Sequence, residues 1–216
     1  MKVAILIPAL NEAATIAGIV SGVGRYGTPI VVDDGSVDGT DARAEAAGAT
    51  VVRHPATHGY DAALATGFAA AEAMGIGGVV TFDADGQFDP AAVDRVLAPL
   101  RQGSVELVLG VRVRPARVGE WLFSEYARLR FDIPDILCGV KAFAISVYRA
   151  HRWAPERKSV NTALALAAVR AGRPFTLVPV AVRPRLGHPR FGGMWRANRR
   201  LLGALAGAVV DDLIRR

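Results

Sequence analysis

Asp83 and Asp85 lie in the segment Phe82-Asp83-Ala84-Asp85-Gly86-Gln87-Phe88-Asp89-Pro90, directly after an apolar run. They flank one residue, so in an extended stretch both carboxylates point the same way. Gln87 repeats the spacing and adds a neutral oxygen. Two more polar clusters, Pro8-Ala9-Leu10-Asn11-Glu12 and Asp33-Asp34-Gly35-Ser36, also follow apolar runs. If the three runs are strands of one sheet, five acids (Glu12, Asp33, Asp34, Asp83 and Asp85) and Gln87 reach one edge. Like charges crowded together repel, and a divalent cation relieves that cost. Oxygen donors favour Mg²⁺ or Mn²⁺, and such an ion could hold a diphosphate and neutralise it as it leaves. The alternative is an acidic turn that only caps the next helix. Asp89 before Pro90 already supplies that cap, which frees Asp83 and Asp85 for a ligand.

The elements that must position these residues are legible as short, β-branched apolar runs bounded by Gly, Pro or Asp. Strands are predicted at Val3–Ile7, Ile30–Val32, Thr50–Arg53, Val79–Phe82 and Val105–Leu109. Helices are predicted between them, at Glu12–Val23, Val37–Ala47, Ala62–Met74 and Pro90–Arg101. Ser36 or Asp38 is expected to cap the second of these. Strand and helix in alternation mean βαβ crossovers, hence an α/β fold with a mostly parallel sheet flanked by helices. In such sheets ligands sit at the carboxyl ends of the strands, where the acids fall. After residue 111 the rhythm breaks. A helix at Trp121–Phe131, a strand at Val140–Ile145, a helix at Val160–Ala171 and a strand near Phe175–Val182 lead to a terminal helix at about 195–213. No repeat or linker divides the chain, and one domain is expected.

Length and composition agree with that reading. The chain has 216 residues, 51% hydrophobic and 21% charged, enough for one packed core and too apolar for wholesale disorder. Cys138 is the only cysteine, which excludes an internal disulfide framework and a cysteine-based zinc site. His54, His58, His151 and His188 form no recognised metal spacing. Residues 1–182 carry equal numbers of basic and acidic side chains. Residues 183–216 carry eight Arg against Asp211 and Asp212, and so supply the net charge of +6. A basic tail on a neutral domain suggests a polyanion: phosphate, nucleic acid or an anionic membrane face. No secretory signal is read at the N-terminus. Leu201–Val210 falls short of the about 20 residues that span a bilayer. The expected location is the cytoplasm, with peripheral contact to the membrane face through the basic helix.

The motifs VAILIPALNE, VVDDGSVDGT, HGYDAALATGFAAA and FDADGQFDP, in this order and spacing, resemble the family 2 inverting glycosyltransferases. Within that family the chain is similar to the dolichol-phosphate mannose and glucose synthase branch. LVLGVR at 107–112, DILCGVKAF at 135–143 and RPRLGHPRFGG at 183–193 extend the resemblance over roughly residues 2–193. It implies a GT-A (Rossmann-like) domain over 1–193, with 194–216 as a basic C-terminal helix of the same domain or at an interface. It also implies a nucleotide-sugar donor lined by Pro8, Ala9, Asn11, Glu12, Asp33, Asp34, Asp83, Ala84 and Asp85. Asp83, Asp85 and Gln87 would hold the metal, and Arg112, Arg185 and Arg190 would grip phosphates. Asp85, Arg112, Asp135 and Lys141 would act in catalysis, the last two on the acceptor side. The implied reaction moves a hexose from a GDP- or UDP-sugar to a polyprenyl phosphate by one inverting displacement. A phosphate nucleophile is already ionised, so catalysis is mostly positioning and charge stabilisation.

The chain departs from that branch in several places, among them Arg190, where a Lys is common, and the C-terminal membrane spans of many members, of which none is read in this sequence. Thr57-His58-Gly59-Tyr60-Asp61 stands where relatives show Asn-x-Gly-x-Gly, and Asn161-Thr162-Ala163 stands where an acid is usual. Two other readings keep part of the evidence: the same donor with a soluble metabolite or glycan acceptor, and a non-catalytic nucleotide-sugar-binding protein. A nucleic-acid partner is not expected, since the basic tail lacks aromatic interleaving and any reading module. Gly22-Val23-Gly24-Arg25-Tyr26-Gly27 fits a dinucleotide fingerprint by letter only. It follows a predicted helix and precedes a strand, the reverse of what that fingerprint needs.

Overall fold

A computed structural model describes residues 1–112, 118–151 and 160–184, with a few positions between 203 and 209. Seven strands form one sheet: β1 (Val3–Ala9), β2 (Thr28–Asp33), β3 (Thr50–Arg53), β4 (Gly78–Thr81), β5 (Leu107–Arg112), β6 (Lys141–Ala144) and β7 (Phe175–Val180). Their order is β3-β2-β1-β4-β6-β5-β7. Every pairing is parallel except those of β6, which runs antiparallel to both β4 and β5. The expected α/β sheet is therefore observed, with one reversed strand that apolar runs alone did not orient.

The helices are α1 (Ile16–Val23), α2 (Thr40–Ala46), α3 (Tyr60–Ala73), α4 (Ala92–Arg101), α5 (Val118–Phe131), α6 (Ile145–Ala150) and α7 (Val160–Arg170). Alternate residues of the buried strands face opposite sides of the sheet. Ala4, Leu6, Ile30 and Val32 join α3, α5 and α7 in one core. Val3, Ile5, Ile7 and Val31 join α1 and α4 in the other. Continuous apolar runs thus reflect helices on both faces.

Of the helix starts that differ from the sequence prediction, two fall three or four residues later, where side chains hold the backbone that precedes the helix. Glu12 and Ala13 donate their N–H groups to Thr40 Oγ1 and Asp38 Oδ2, so α1 begins only at Ile16. Asp38 Oδ1 accepts the N–H of Thr40, and Gly39 takes a left-handed φ of 83°, so α2 begins at Thr40. Of the two expected caps, Asp38 fills the role, while Ser36 Oγ accepts the N–H of Asn11. Asp89 Oδ1 accepts the N–H of Ala91 at the entry to α4, as Asp-Pro predicts. Helix α6 was not predicted. The proposed 194–216 helix lies almost wholly outside the described residues.

Helix α3 packs closely on β1. A Cβ added at Gly67 of α3 would stand 1.9 Å from Leu6 Cδ1 and 2.9 Å from two more Leu6 carbons. Gly18 of α1, in contrast, has nothing within 4 Å of the same added atom. Gly67→Ala should destabilise the chain by about 1–3 kcal/mol through overpacking. Gly18→Ala should stabilise it by about 0.5–1 kcal/mol through helix propensity. Urea unfolding of both variants checks the opposite signs, and a stabilising Gly67→Ala would contradict this packing.

Candidate active site

Three loops leave the carboxyl ends of β2, β1 and β4, which are neighbours in the sheet. The loops after β1 and β2 are laced together. Ser36 Oγ accepts from Asn11 N at 2.9 Å, and Asn11 Oδ1 accepts from Val37 N at 3.0 Å. Asn11 holds a left-handed φ of 53°, which Asn tolerates better than most residues. Pro8 and Ala9 end β1 in register with Val32 and Asp33. Glu12 is buried, and its backbone oxygen accepts the N–H groups of Thr15 and Ile16.

Asp33 and Asp34 are both buried but differently used. Asp34 Oδ1 lies 2.8 Å from His54 Nδ1 and accepts the N–H of His58 at 2.9 Å. Its Oδ2 accepts the N–H of Gly59 at 2.7 Å. Asp33 Oδ1 accepts the N–H of Ser36 at 3.2 Å. Asp33 Oδ2 is buried without a hydrogen-bond partner, with Arg53 Nε at ion-pair distance, 3.7 Å. Asp34 thus holds a loop, and Asp33 keeps an acceptor in reserve.

The loop after β4 carries Asp83, Ala84, Asp85 and Gln87. Asp83 Oδ1 accepts the hydroxyl of Tyr60 at 2.9 Å. Asp85 is buried, and its Oδ1 accepts the N–H of Gln87 at 3.1 Å. Ala84 O accepts the Thr15 hydroxyl at 2.6 Å, tying this loop to the turn before α1. The N–H of Arg183 donates to Gln87 O at 2.8 Å, and Arg183 Nη2 meets Asp89 Oδ2 at 2.6 Å. The basic C-terminal stretch therefore starts beside the acidic loop. Arg185 and Arg190 lie outside the described residues. No group of three or more His, Cys, Asp or Glu among the described residues is arranged to hold a metal. Asp83 and Asp85 would supply two carboxylates, a donor set that suits Mg²⁺ or Mn²⁺ when ligand phosphates complete the shell.

A second polar cluster lies where β5 and β6 meet. Arg112 forms a bidentate pair with Asp135, Nε to Oδ2 at 2.7 Å and Nη2 to Oδ1 at 3.0 Å. Its backbone N–H donates to the same Oδ2. Glu120 Oε2 lies 3.4 Å from Nη2. Burial works against the guanidinium charge, but Asp135 and Glu120 outweigh it and hold Arg112 firmly protonated. Lys141 is fully buried and donates from Nζ to Cys138 O. Burial pushes its ammonium down to about 8, against the smaller opposing influence of Cys138 and Asp135. Burial pushes the Cys138 thiol up to about 12, so it is no nucleophile. Gly139 links the two clusters, because a Cβ there would stand 2.0 Å from Asp83 Oδ2.

Residues named only as departures from the family pattern, and not assigned to the site, also matter. Asp61 Oδ1 accepts the N–H of Val160 at 2.8 Å, across to the start of α7. Asn161 Nδ2 donates to Thr81 Oγ1 and Gly139 O, each at 3.1 Å, while its buried Oδ1 has no partner. Tyr60 and Asp61 fall inside a quoted motif, which was a signal to inspect them. Glu120 had none.

Residues 4–153 match the family described as Glycosyl transferase family 2. The chain belongs to glycosyl transferase family 2. It is 31% identical to the glycosyltransferase AglJ of Haloferax volcanii, over 85% of this chain and 63% of that protein. It is also 31% identical to an undecaprenyl-phosphate mannosyltransferase of Micrococcus luteus, over 69% of each. Among solved structures, glucosyl-3-phosphoglycerate synthase from Mycobacterium tuberculosis, in complex with Mn²⁺, UDP and phosphoglyceric acid, superposes with a TM-score of 0.75 at 26% identity. That match covers 96% of this chain and 78% of the other. This chain spans less than two thirds of the length of the AglJ relative. The fold is the GT-A arrangement expected for the family.

The buried pair Lys141 and Cys138 gives this family 2 chain an alkaline signature. Between about 8 and its ordinary 10.5, Lys141 has lost its proton in the folded chain but keeps it unfolded. Stability therefore rises with pH across that window. Between 9.0 and about 12, the Cys138 thiol keeps its proton folded and loses it unfolded, so stability falls there as pH rises. The two slopes oppose each other where the windows overlap. Lys141→Met should lose the rise that starts near pH 8, and Cys138→Ala should extend that rise towards 10.5. Unfolding free energies measured across this range check both; identical profiles in all three proteins would contradict the assignment.

Proposed function

We propose that this chain transfers a hexose from a nucleoside-diphosphate sugar to a polyprenyl phosphate, with inversion at the anomeric carbon and with Mg²⁺ or Mn²⁺ bound. The observation that carries the reading is the placement of Asp33 at the carboxyl end of β2, with Asp83 and Asp85 just past that of β4, on either side of β1. Asp33 Oδ2, buried without a hydrogen-bond donor, suits an N–H of the nucleobase. Pro8, Ala9, Asn11, Glu12, Asp34 and Ala84 would shape the walls of that pocket. Asp34 would act by holding the loop at 54–59.

Asp83 and Asp85, with Gln87, would hold the metal. Bound there, it would neutralise the charge that builds on the departing diphosphate. A phosphate oxygen of the acceptor attacks the anomeric carbon, and the bond to the nucleoside diphosphate breaks with its electron pair. Arg112, whose charge Asp135 and Glu120 already share, would add direction more than net charge; Nη1 is its remaining donor nitrogen. Lys141 and Asp135 would fix the acceptor wall through the 138–140 backbone. Arg185 and Arg190, which follow β7 in the sequence, would grip phosphate.

A phosphate nucleophile needs no base, so Asn161, an amide that cannot take up a proton, is compatible with it; the loss of the branch's usual acid there speaks rather for a soluble acceptor. The relative that acts on undecaprenyl phosphate supports a lipid acceptor. No helix among the described residues is long and apolar enough to cross a membrane. The arginine-rich stretch after residue 183 would then make the peripheral membrane contact. A soluble acceptor is the second reading, supported by the synthase structure with phosphoglyceric acid.

With Mn²⁺ present, either UDP or GDP should raise the melting temperature. A ligand at 100 times its Kd adds about 2.7 kcal/mol of stability. Asp85→Ala should lose the metal-dependent part of that shift. Transfer of labelled sugar to undecaprenyl phosphate, with 3-phosphoglycerate as the competing acceptor, then separates the two acceptor readings. No shift with either nucleotide would defeat the donor assignment, and binding without transfer to any acceptor would favour a non-catalytic protein.

A further inference from the structure

Asp83 is held from both sides by groups that neither its own loop nor its own strand provides. Its Oδ1 accepts the Tyr60 hydroxyl at 2.9 Å. Its Oδ2 faces the backbone of Gly139 so closely that a Cβ there would come within 2.0 Å. A hydroxyl on one side and a missing side chain on the other leave the carboxylate little rotational freedom.

Tyr60 is itself anchored by its two chain neighbours. The N–H of Gly59 donates to Asp34 Oδ2 at 2.7 Å, and Asp61 Oδ1 accepts the N–H of Val160 at 2.8 Å. The first turn of α3 is thus pinned to the loop after β2 and to the start of α7. The phenol is therefore delivered to Asp83 from a fixed backbone. Hydrogen bonds to an ionised acceptor are among the stronger ones, and they set the direction of the lone pairs that remain.

We infer that Tyr60 is a positioning residue for Asp83: its hydroxyl occupies Oδ1 and turns the carboxylate so that a divalent cation meets it in one orientation. This rests on the metal-dependent reading above. It gives the Tyr60 hydroxyl a role that runs through Asp83.

The test is a Mn²⁺ titration of the full chain, followed by electron paramagnetic resonance of the free ion. It is run with saturating UDP and again with GDP. Wild type, Tyr60→Phe, Asp83→Asn and the double variant are compared. Tyr60→Phe should weaken Mn²⁺ binding about 10-fold or more, as loss of an outer partner of a metal ligand commonly does. Its melting temperature should fall by only a few degrees, as loss of one partly buried hydrogen bond does, and its metal-free nucleotide affinity should stay at the wild-type value. In the Asp83→Asn background the same substitution should change nothing further, because the effect runs through that carboxylate. Wild-type Mn²⁺ affinity in Tyr60→Phe would overturn the inference while leaving the proposed function intact. So would an equal loss with and without the Asp83 carboxylate. If the wild type takes up no Mn²⁺ with either nucleotide, the metal-dependent reading fails and the role of Tyr60 falls with it.

Discussion

The Asp34 carboxylate, receiving the N–H groups of His58 and Gly59 and lying against His54, is the interaction on which the rest of the site depends. It stands just past the end of β2, yet what it holds is the chain that runs into α3. A buried carboxylate is costly unless its lone pairs are filled, and here backbone donors fill them. From that anchor, Tyr60 reaches Asp83 and Asp61 reaches the start of α7. Three separate parts of the sequence are thereby set at defined distances without any of them being in contact by sequence. His54 Nε2 lies 2.9 Å from Thr66 Oγ1, so the same histidine also fastens the loop to the middle of α3.

The second constraint is the reversed strand. Placing β6 antiparallel between β4 and β5 brings Lys141 into register with both Thr81 and Leu109. The turn that precedes it then lies at the same edge as the acids. That turn delivers Gly139 to Asp83, its carbonyl to Asn161, and the carbonyl of Cys138 to the buried Lys141 ammonium. A parallel strand in this slot would have sent its preceding loop to the opposite edge. Charges so deeply buried are tolerated only when paired, and the Arg112, Asp135 and Glu120 set satisfies that condition on its outer side. The cost left over falls on Lys141, whose proton is loosened by burial.

Much of this was legible from residues alone, and the failures have physical causes. The apolar runs located all seven strands, since β-branched segments between Gly, Pro and Asp have few other uses. The acids fell at the strand ends because the fold requires it. Helix starts were misjudged where a side chain from another loop took a backbone donor, as Thr40 does from Glu12. Such a bond joins residues 28 apart and leaves no local pattern. The direction of β6 was hidden for a related reason, because a four-residue strand carries no sign of which neighbour it will choose. Within the site, the pairing of Arg112 with Asp135 and Glu120 could not be read from spacing. The motif that contains Tyr60 could be read, but the target of its hydroxyl could not.

Two of the expected departures from the family pattern, Asp61 in place of a glycine and Asn161 in place of an acid, fall at one place in three dimensions. The Asp61 carboxylate binds the backbone of Val160, the residue directly before Asn161. A negative charge near the start of α7 is thus supplied from α3. There it is occupied by a backbone donor, as a helix cap would be. A carboxylate so engaged holds α7 in place and is poorly disposed to act as a base. The helix opens instead with Asn161, whose amide nitrogen is spent on Thr81 and Gly139 and whose buried oxygen has no partner. The start of α7 is therefore fixed by hydrogen bonds to the β4 strand, to the turn before β6 and to α3, and among these groups only the Asp61 carboxylate could take up a proton.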